Sequence, residues 1–450
     1  NSVFVRPEAI EKKEQTVRTL NSILGGARRQ IRQAVFDDRS FVWLERKLSD
    51  RKASEIRSAR LPGVHLSEEM ARFYPQGTLA GQLLGFVGVD NTGLEGLECS
   101  YNAYLAGQRK EFVVQRDASG NLLFAPGQLS NDLAGKDLVL TLDKQVQITA
   151  EEALARAVQK NRAERGLCLV VKVDSGDILA WAQYPFFNPN TYQDSEPEIW
   201  KNKIALDVFE PGSTMKPVLV ATALETQTCR RQDIFFCENG EWPFAGQIFN
   251  DTHEYGWLPV NKIIRYSSNI GAAKIGLQLG SEVYFEYLRA LGLGRRTQLP
   301  LPGEAEGILR PAGDWTQVDL VAASFGQGVG VTLLQLAQSY LCLANKGLLQ
   351  PLKLVLEPAS PAPAQRVRVF SRSTAQAVLE MMTEVVEEDG TGTRARIPGM
   401  FVGGKTGTSQ KASKNGGYTD RYTASFIGLF PGLEPEYLII AVIDEPKVNN

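Results

Sequence analysis

The sequence predicts a two-domain α+β protein. A large C-terminal domain, with an antiparallel sheet flanked by helices and a helical subdomain, follows a mixed α/β N-terminal domain. Three observations predict this. The 450 residues, at about 150 per domain, suit a short unit followed by a large one. Strand-like apolar runs stand at 167–173 and 178–184, and again at the far end at 423–430 and 437–443, with helical spacing between them. Strands first and last with helices between imply that the ends of the domain pair into one antiparallel sheet.

Taken in order, residues 1–116 mix charged helical stretches with short apolar pieces such as FVWL (41–44) and LLGFVGV (83–89). The basic run Arg28-Arg29-Gln30-Ile31-Arg32 reads as a solvated helix face. From 117 to 136 (DASGNLLFAPGQLSNDLAGK) periodicity disappears as Gly, Pro, Asn and Ser rise, which marks a linker and divides the chain into 1–135 and 136–450. A strand-like 138–142 follows. Val146, Ala150, Leu154 and Ala157/Val158 then share one helical face. Asp174-Ser175-Gly176-Asp177 joins one hairpin, and Pro431 to Glu436 joins the other. Residues 333–344 and 374–386 read as helices, and the Pro/Ala stretch 358–364 as a surface loop. No repeat is visible.

With 49 Lys+Arg against 51 Asp+Glu the net charge is −2, so a nucleic-acid partner loses its main electrostatic support. Hydrophobic residues make up 43% and charged ones 22%, yet no apolar run approaches the roughly 18 residues of a membrane span. Five scattered cysteines cannot form a disulfide scaffold, and with only two histidines a His-based mechanism has few candidates. The chain begins without Met and stops just after a strand-like run, so both ends are expected to have been cut.

The first chemically suggestive stretch is Phe209-Glu210-Pro211-Gly212-Ser213-Thr214-Met215-Lys216. Pro-Gly makes a turn, and Met215, Val218, Leu219 and Ala223 recur at helical spacing, so Ser213 opens a buried helix with Lys216 one turn on. That places an amine beside a hydroxyl near a helix N-terminus, where a buried lysine can act as base without histidine. Ser-x-x-Lys is expected about once or twice by chance in a chain of this length. A second copy, Ser49 to Lys52, lies in a charged stretch without the turn or the apolar helix.

Ser267-Ser268-Asn269 is weak alone, because Ser-x-Asn also occurs at Ser100, Ser119 and Ser413. Gly403-Gly404-Lys405-Thr406-Gly407-Thr408 contains the one Lys-Thr-Gly in the chain. Gly399 to Thr406 also fits the phosphate-binding pattern G-x-x-x-x-G-K-T. That pattern needs a helix starting at Lys-Thr, whereas TSQKASKNGG is a poor helix; the alternation suits an edge strand beside a substrate backbone.

In this order S-x-x-K, S-x-N and K-T-G are the motifs of penicillin-binding proteins and β-lactamases. The chain resembles a class B penicillin-binding protein of the division-specific, penicillin-binding protein 3 type. Further likeness lies in Arg72-Phe73-Tyr74-Pro75, residues 83–98, Phe187-Asn188-Pro189-Asn190, Ser324-Phe325-Gly326-Gln327-Gly328 and Gly390-Thr391-Gly392-Thr393.

The resemblance implies a penicillin-binding-protein/β-lactamase-like domain on an N-terminal pedestal, acting as a peptidoglycan D,D-transpeptidase on stem peptides ending in D-Ala-D-Ala. It implies no cofactor. Ser213 becomes the nucleophile, Lys216 its base, Ser267 a proton shuttle and Asn269 a holder of a substrate amide. Lys405, Thr406, Gly407 and Thr408 become substrate-binding residues, and the backbone N–H groups of Ser213 and Thr408 an oxyanion hole. Expected partners are stem peptides, lipid-linked precursor, β-lactams, a membrane glycan polymerase and other division proteins. The expected location is the outer side of the bacterial cytoplasmic membrane, through an N-terminal anchor absent here, this fragment being soluble.

An elongation-type enzyme, a β-lactamase and a non-catalytic scaffold subunit are the alternatives. The E-x-x-L-N setting of the deacylating glutamate in class A β-lactamases is absent. Cys229 and Cys237 have three readings: ordinary thiols, a disulfide, or a zinc site with Asp233, Asp251 and His253 as in a related elongation-type family. Cys168 and Cys342 sit in apolar runs and read as core.

Overall fold

The computed structural model describes residues 1–25, 28–107, 135–358, 366–412 and 417–448. Two compact units emerge: Asn1–Pro75 with Phe86–Leu94, and Gln76–Gly85 with Glu95–Asn450. Compactness therefore divides the chain elsewhere than at 136. The excursion 86–94 is bracketed by Gly85 and Gly96, both at positive φ (73° and 58°). A Cβ on Gly85 would stand 1.8 Å from the Glu95 carbonyl oxygen, so both strands of this crossing need glycine. Most of the linker expected at 117–136 and of the loop expected at 358–364 falls outside the described residues.

In the first unit β1 (Ser2–Val5) pairs antiparallel with β2 (Val42–Glu45) on one side and β3 (Val64–Ser67) on the other. Three helices accompany it, α1 (Lys13–Leu24), α2 (Arg28–Val35) and α3 (Asp50–Ala59). Alternation in β1 sends Val3 and Val5 into a core with Val17, Leu20, Ile31, Val35 and Ile56. In α2, Arg28, Arg29, Gln30 and Arg32 stay exposed while Ile31 is buried, so the basic run is a solvated face.

The first long helix of the second unit is α4 (Lys144–Lys160), followed by β4 (Arg165–Lys172) and β5 (Ile178–Tyr184), joined at 174–177. Helices follow: α5 (Lys216–Glu225), α6 (Val260–Tyr266), α7 (Asn269–Leu279), α8 (Gln317–Ser324), α9 (Leu333–Ala344) and α10 (Arg372–Glu384). The chain returns as β8, after two short hairpin strands β6 (Glu241–Phe244) and β7 (Gln247–Asn250); β8 spans Gly403–Ala412, β9 Tyr418–Phe430 and β10 Tyr437–Asp444. The five-stranded sheet runs β8-β9-β10-β4-β5, antiparallel throughout. The expected closure is the β10–β4 pairing, Leu438 opposite Val171 and Val442 opposite Leu167.

Strand β4 reads as a continuous apolar run because both its faces are covered. Leu167, Leu169 and Val171 join the main helical core, while Cys168 and Val170 pack with Ala150 and Leu154 of α4. Helix α9 is the centre of that core: Leu333, Leu334, Ala337, Tyr340 and Leu341 are all fully buried.

Candidate active site

Ser213 lies in a single 3-10 turn, Gly212–Met215, that runs directly into α5, with Pro217 in the first helical turn where its missing N–H costs nothing. Gly212 has φ 56° and packs against β8, and its N–H donates to the Gly326 carbonyl (3.0 Å). Gly326 has no room for a Cβ, which would meet the Gly212 oxygen at 2.1 Å. From beneath, the buried Tyr340 hydroxyl donates to the Thr214 carbonyl at 2.6 Å. The nucleophile turn is thus held on three sides.

The Ser-x-Asn segment is the junction of α6 and α7. Ser267 occupies the left-handed C-cap of α6 (φ 62°), a conformation that costs a non-glycine residue about 1 kcal/mol. Ser268 N-caps α7, accepting from the Gly271 N–H at 2.9 Å. Its hydroxyl donates to Asp251 Oδ2 (2.6 Å), and Asp251 Oδ1 accepts from the N–H groups of Asn269 and Ile270. Asp251 therefore pins this junction at a helix N-terminus, where negative charge is favoured.

The third segment lies on β8, an edge strand, not at a helix start, so the nucleotide-loop geometry is absent. Gly407 lies against the nucleophile turn: a Cβ there would meet Ser425 Oγ at 2.4 Å, Thr214 Cγ2 at 2.8 Å and the Pro211 oxygen at 3.1 Å. Thr406 Oγ1 donates to Thr391 Oγ1 (2.8 Å). Ser213, Ser267, Asn269, Thr406 and Thr408 line one cleft of about 1200 Å³, and Phe325 and Gln327 line it too.

Lys216 is fully buried, and its Nζ reaches Ser213 Oγ at 2.9 Å, the Ser267 carbonyl at 2.5 Å, Asn269 Oδ1 at 2.8 Å and Ser267 Oγ at 3.2 Å. Lys405, also fully buried, donates to Ser267 Oγ at 3.0 Å and to the Thr406 carbonyl at 3.0 Å. Burial, and then the charge of Lys405, pushes the Lys216 ammonium well below the ordinary lysine range against the opposing pull of Asp251. Burial also pushes Lys405 down to about 7. A neutral Lys216 has two N–H donors for the Ser267 carbonyl and Asn269 Oδ1, which leaves its lone pair for the Ser213 hydroxyl proton. The arrangement can accept a proton from one serine and return it through another.

The structure separates the decoys from the cluster. Ser49 N-caps α3, and Lys52 Nζ pairs with Glu45 (2.8 Å). Ser100 ends a short helix in the second unit, and Ser119 and Ser413 lie outside the described residues. Asn269 already engages both ends of its amide, Nδ2 donating to the Asn250 carbonyl at 2.9 Å, so it braces Lys216 as well as facing the cleft. Cys229 and Cys237 are free buried thiols, which corrects the disulfide reading: a seven-residue spacing says nothing about where two side chains point. Among the described residues no three His, Cys, Asp or Glu side chains assemble a metal site, so Cys229, Asp233, Cys237 and His253 do not come together as a zinc set. Asp233 caps the local turn at Arg230, and His253 packs on Tyr255. Sequence reading gave Asp251 no role at the Ser-x-Asn segment and Tyr340 no role at all; neither sits in a motif, and only the fold brings them to the site.

What these residues can do without histidine is transfer an acyl group through serine, and the sheet and helices that present them are those of a penicillin-recognising transpeptidase. Residues 166–450 match the Penicillin binding protein transpeptidase domain and residues 1–140 the Penicillin-binding Protein dimerisation domain. The chain belongs to the penicillin-binding protein transpeptidase family. It is 36% identical over 415 residues, 91% of this chain and 70% of the other, to the "Probable peptidoglycan D,D-transpeptidase PenA" of Neisseria gonorrhoeae. It is 34% identical over 410 residues, 91% of this chain and 68% of the other, to the peptidoglycan D,D-transpeptidase FtsI of Escherichia coli K12. Penicillin binding protein 3 of Mycobacterium tuberculosis, solved in complex with aztreonam, superposes with a TM-score of 0.74 at 30% identity, covering 84% of this chain and 85% of that one. No helix among the described residues is long and apolar enough to cross a membrane.

Proposed function

We propose that this peptidoglycan D,D-transpeptidase works at the division septum through an acyl-enzyme on Ser213. Ser213 Oγ attacks the carbonyl of the penultimate D-Ala as Lys216 takes the hydroxyl proton; the peptide bond to the last D-Ala breaks, and Ser267 passes a proton to the departing amine. An acceptor amine then attacks the ester, loses a proton back along the same route, and frees the serine. Lys405, Thr406, Gly407 and Thr408 hold the donor's terminal carboxylate and backbone beside the edge strand, and Asn269 a substrate amide. The N–H groups of Ser213 and Thr408 receive the developing oxyanion.

One observation carries this reading: a fully buried Lys216 amine lies 2.9 Å from Ser213 Oγ and 3.2 Å from Ser267 Oγ. β-Lactams acylate the same serine. By chain segment, 1–135 form the non-catalytic part and 136–450 the catalytic part, with 76–85 packing in the same compact unit as the latter. The septal assignment rests on likeness to the division type, and the place of work is the outer face of the cytoplasmic membrane, where lipid-linked precursor and a glycan polymerase meet the enzyme. Intact mass after incubation with penicillin should show one covalent adduct, mapped to Ser213 and lost in Ser213→Ala; an adduct on another serine sinks the assignment. Depletion in the parent cell should give filaments, whereas rounded cells would move the enzyme to elongation.

A further inference from the structure

The cleft that holds Ser213 is lined almost wholly by uncharged groups. Among the described residues lining it there is no Asp, Glu or Lys, and Arg394 is the single charged side chain. Lys216 and Lys405 stand behind this lining, fully buried. A ligand that brings a carboxylate therefore meets one permanent cation at the surface of the cleft.

Arg394 sits in a short 3-10 turn, Thr393–Ala395, and the segment leading into it is seated on the sheet. Thr391 Oγ1 accepts from Thr406 Oγ1 (2.8 Å), and the Gly392 N–H donates to the Val385 carbonyl (2.9 Å). A Cβ on Gly392 would stand 3.4 Å from the ring of Phe426, the residue opposite Thr406 in the β8–β9 pairing. This seat brings the arginine's turn to the stretch Lys405 to Thr408, where the donor's terminal carboxylate is held in the mechanism above. The acids nearby are taken by another arginine: Arg396 pairs with Glu388 at 3.4 Å and Glu387 at 3.8 Å. Arg394 is exposed and makes no ion pair among the described residues. Its planar fork of donors matches the two oxygens of a carboxylate. Lys405 supplies such a charge only in part, because its Nζ is bonded to Ser267 Oγ and the Thr406 carbonyl and burial lowers its titration to about 7.

We infer that Arg394 is a specificity-determining residue of this cleft, its guanidinium giving permanent counter-charge to the terminal carboxylate of the donor peptide or to the ring carboxylate of a penicillin. The inference rests on the transpeptidase reading of the site. Lys405, Thr406 and Thr408 orient the carboxylate, and Arg394 draws it in and selects anionic ligands over neutral ones.

Second-order acylation rates of the whole chain with benzylpenicillin, its methyl ester and carbenicillin test this. The ester lacks the ring carboxylate, and carbenicillin carries a further carboxylate on its side chain. Arg394→Gln should slow benzylpenicillin and carbenicillin by the same factor, about tenfold, and leave the slower reaction of the ester unchanged. Arg394→Lys should recover part of the rate for both acids. Added salt should slow the wild type with benzylpenicillin more than it slows Arg394→Gln. No loss in Arg394→Gln overturns the inference. So does an equal loss for the ester, which would make the effect one of cleft shape, and so does a loss confined to carbenicillin, which would place the arginine at the far end of the ligand. Wild-type protein that forms no adduct on Ser213 refutes the transpeptidase reading; an adduct whose rate ignores Arg394 refutes this inference alone.

Discussion

Lys216 and Lys405 lie on either side of one hydroxyl, Ser267 Oγ, and both are completely withdrawn from water. Because the neutral amine of Lys216 is the proposed base, penicillin acylation should rise with pH through its lowered titration and then level off. Lys216→Arg, which cannot lose its proton, should slow acylation by several orders of magnitude; a pH-independent rate in the wild type would remove Lys216 as base. Lys52→Ala should change nothing. Lys405 also makes a stability statement. Its folded pKa of about 7 lies below the ordinary 10.5, so the unfolded chain binds more protons between those values and stability should increase with pH across that window. Denaturation at pH 7, 8 and 9 should show that slope reduced in Lys405→Met. The three motifs were legible in the sequence at this scale, since each is a short string whose residue types carry the chemistry. Asp251 at the Ser-x-Asn junction was not, because its contacts with Ser268 and Asn269 span 17 and 18 residues of chain.

At the scale of elements, function depends on how closely β8 lies against the turn that opens α5. Gly407 sets that spacing, since a methyl there would fall 2.8 Å from Thr214 Cγ2 and 3.1 Å from the Pro211 oxygen. Gly407→Ala should cost about 1–3 kcal/mol by overpacking and should slow acylation at least tenfold by moving Lys405 and Thr408 relative to Ser213. A stopped-flow acylation rate and an unfolding midpoint, measured on the same preparation, check both parts. Acylation unchanged despite lost stability would mean that the strand's position does not control the chemistry. The sequence marked β8 as an edge strand through its alternation and its failure as a helix. It could not show which of four strand-like runs would neighbour it.

Across the whole molecule, the strand nearest the C-terminus is the middle of the sheet. Strand β10 lies between β9 and β4, so deleting residues 437–450 should expose Leu167, Leu169 and Val171 and leave no penicillin-binding protein in the soluble fraction. Soluble, acylating protein from that truncation would contradict the pairing of the domain's two ends. Because Lys405-Thr406 lies in a strand, ATP with magnesium should leave the melting temperature unchanged; a rise of several degrees lost in Lys405→Ala would restore nucleotide binding.

By itself the sequence determined the fold class, the closure of the sheet and the reactive strings, because the apolar periods at 167–184 and 423–443 and the motifs at 213, 267 and 405 are local patterns. Only the tertiary structure decided where the compact units divide, with 76–85 packed into the catalytic unit, because packing depends on which side chains meet, not on where periodicity lapses. It also decided that Ser213, Lys216, Ser267 and Lys405 share one buried cluster while Ser49 and Lys52 face an ordinary surface pair. Burial is what turns the Lys216 ammonium into a base, and burial belongs to the folded chain alone.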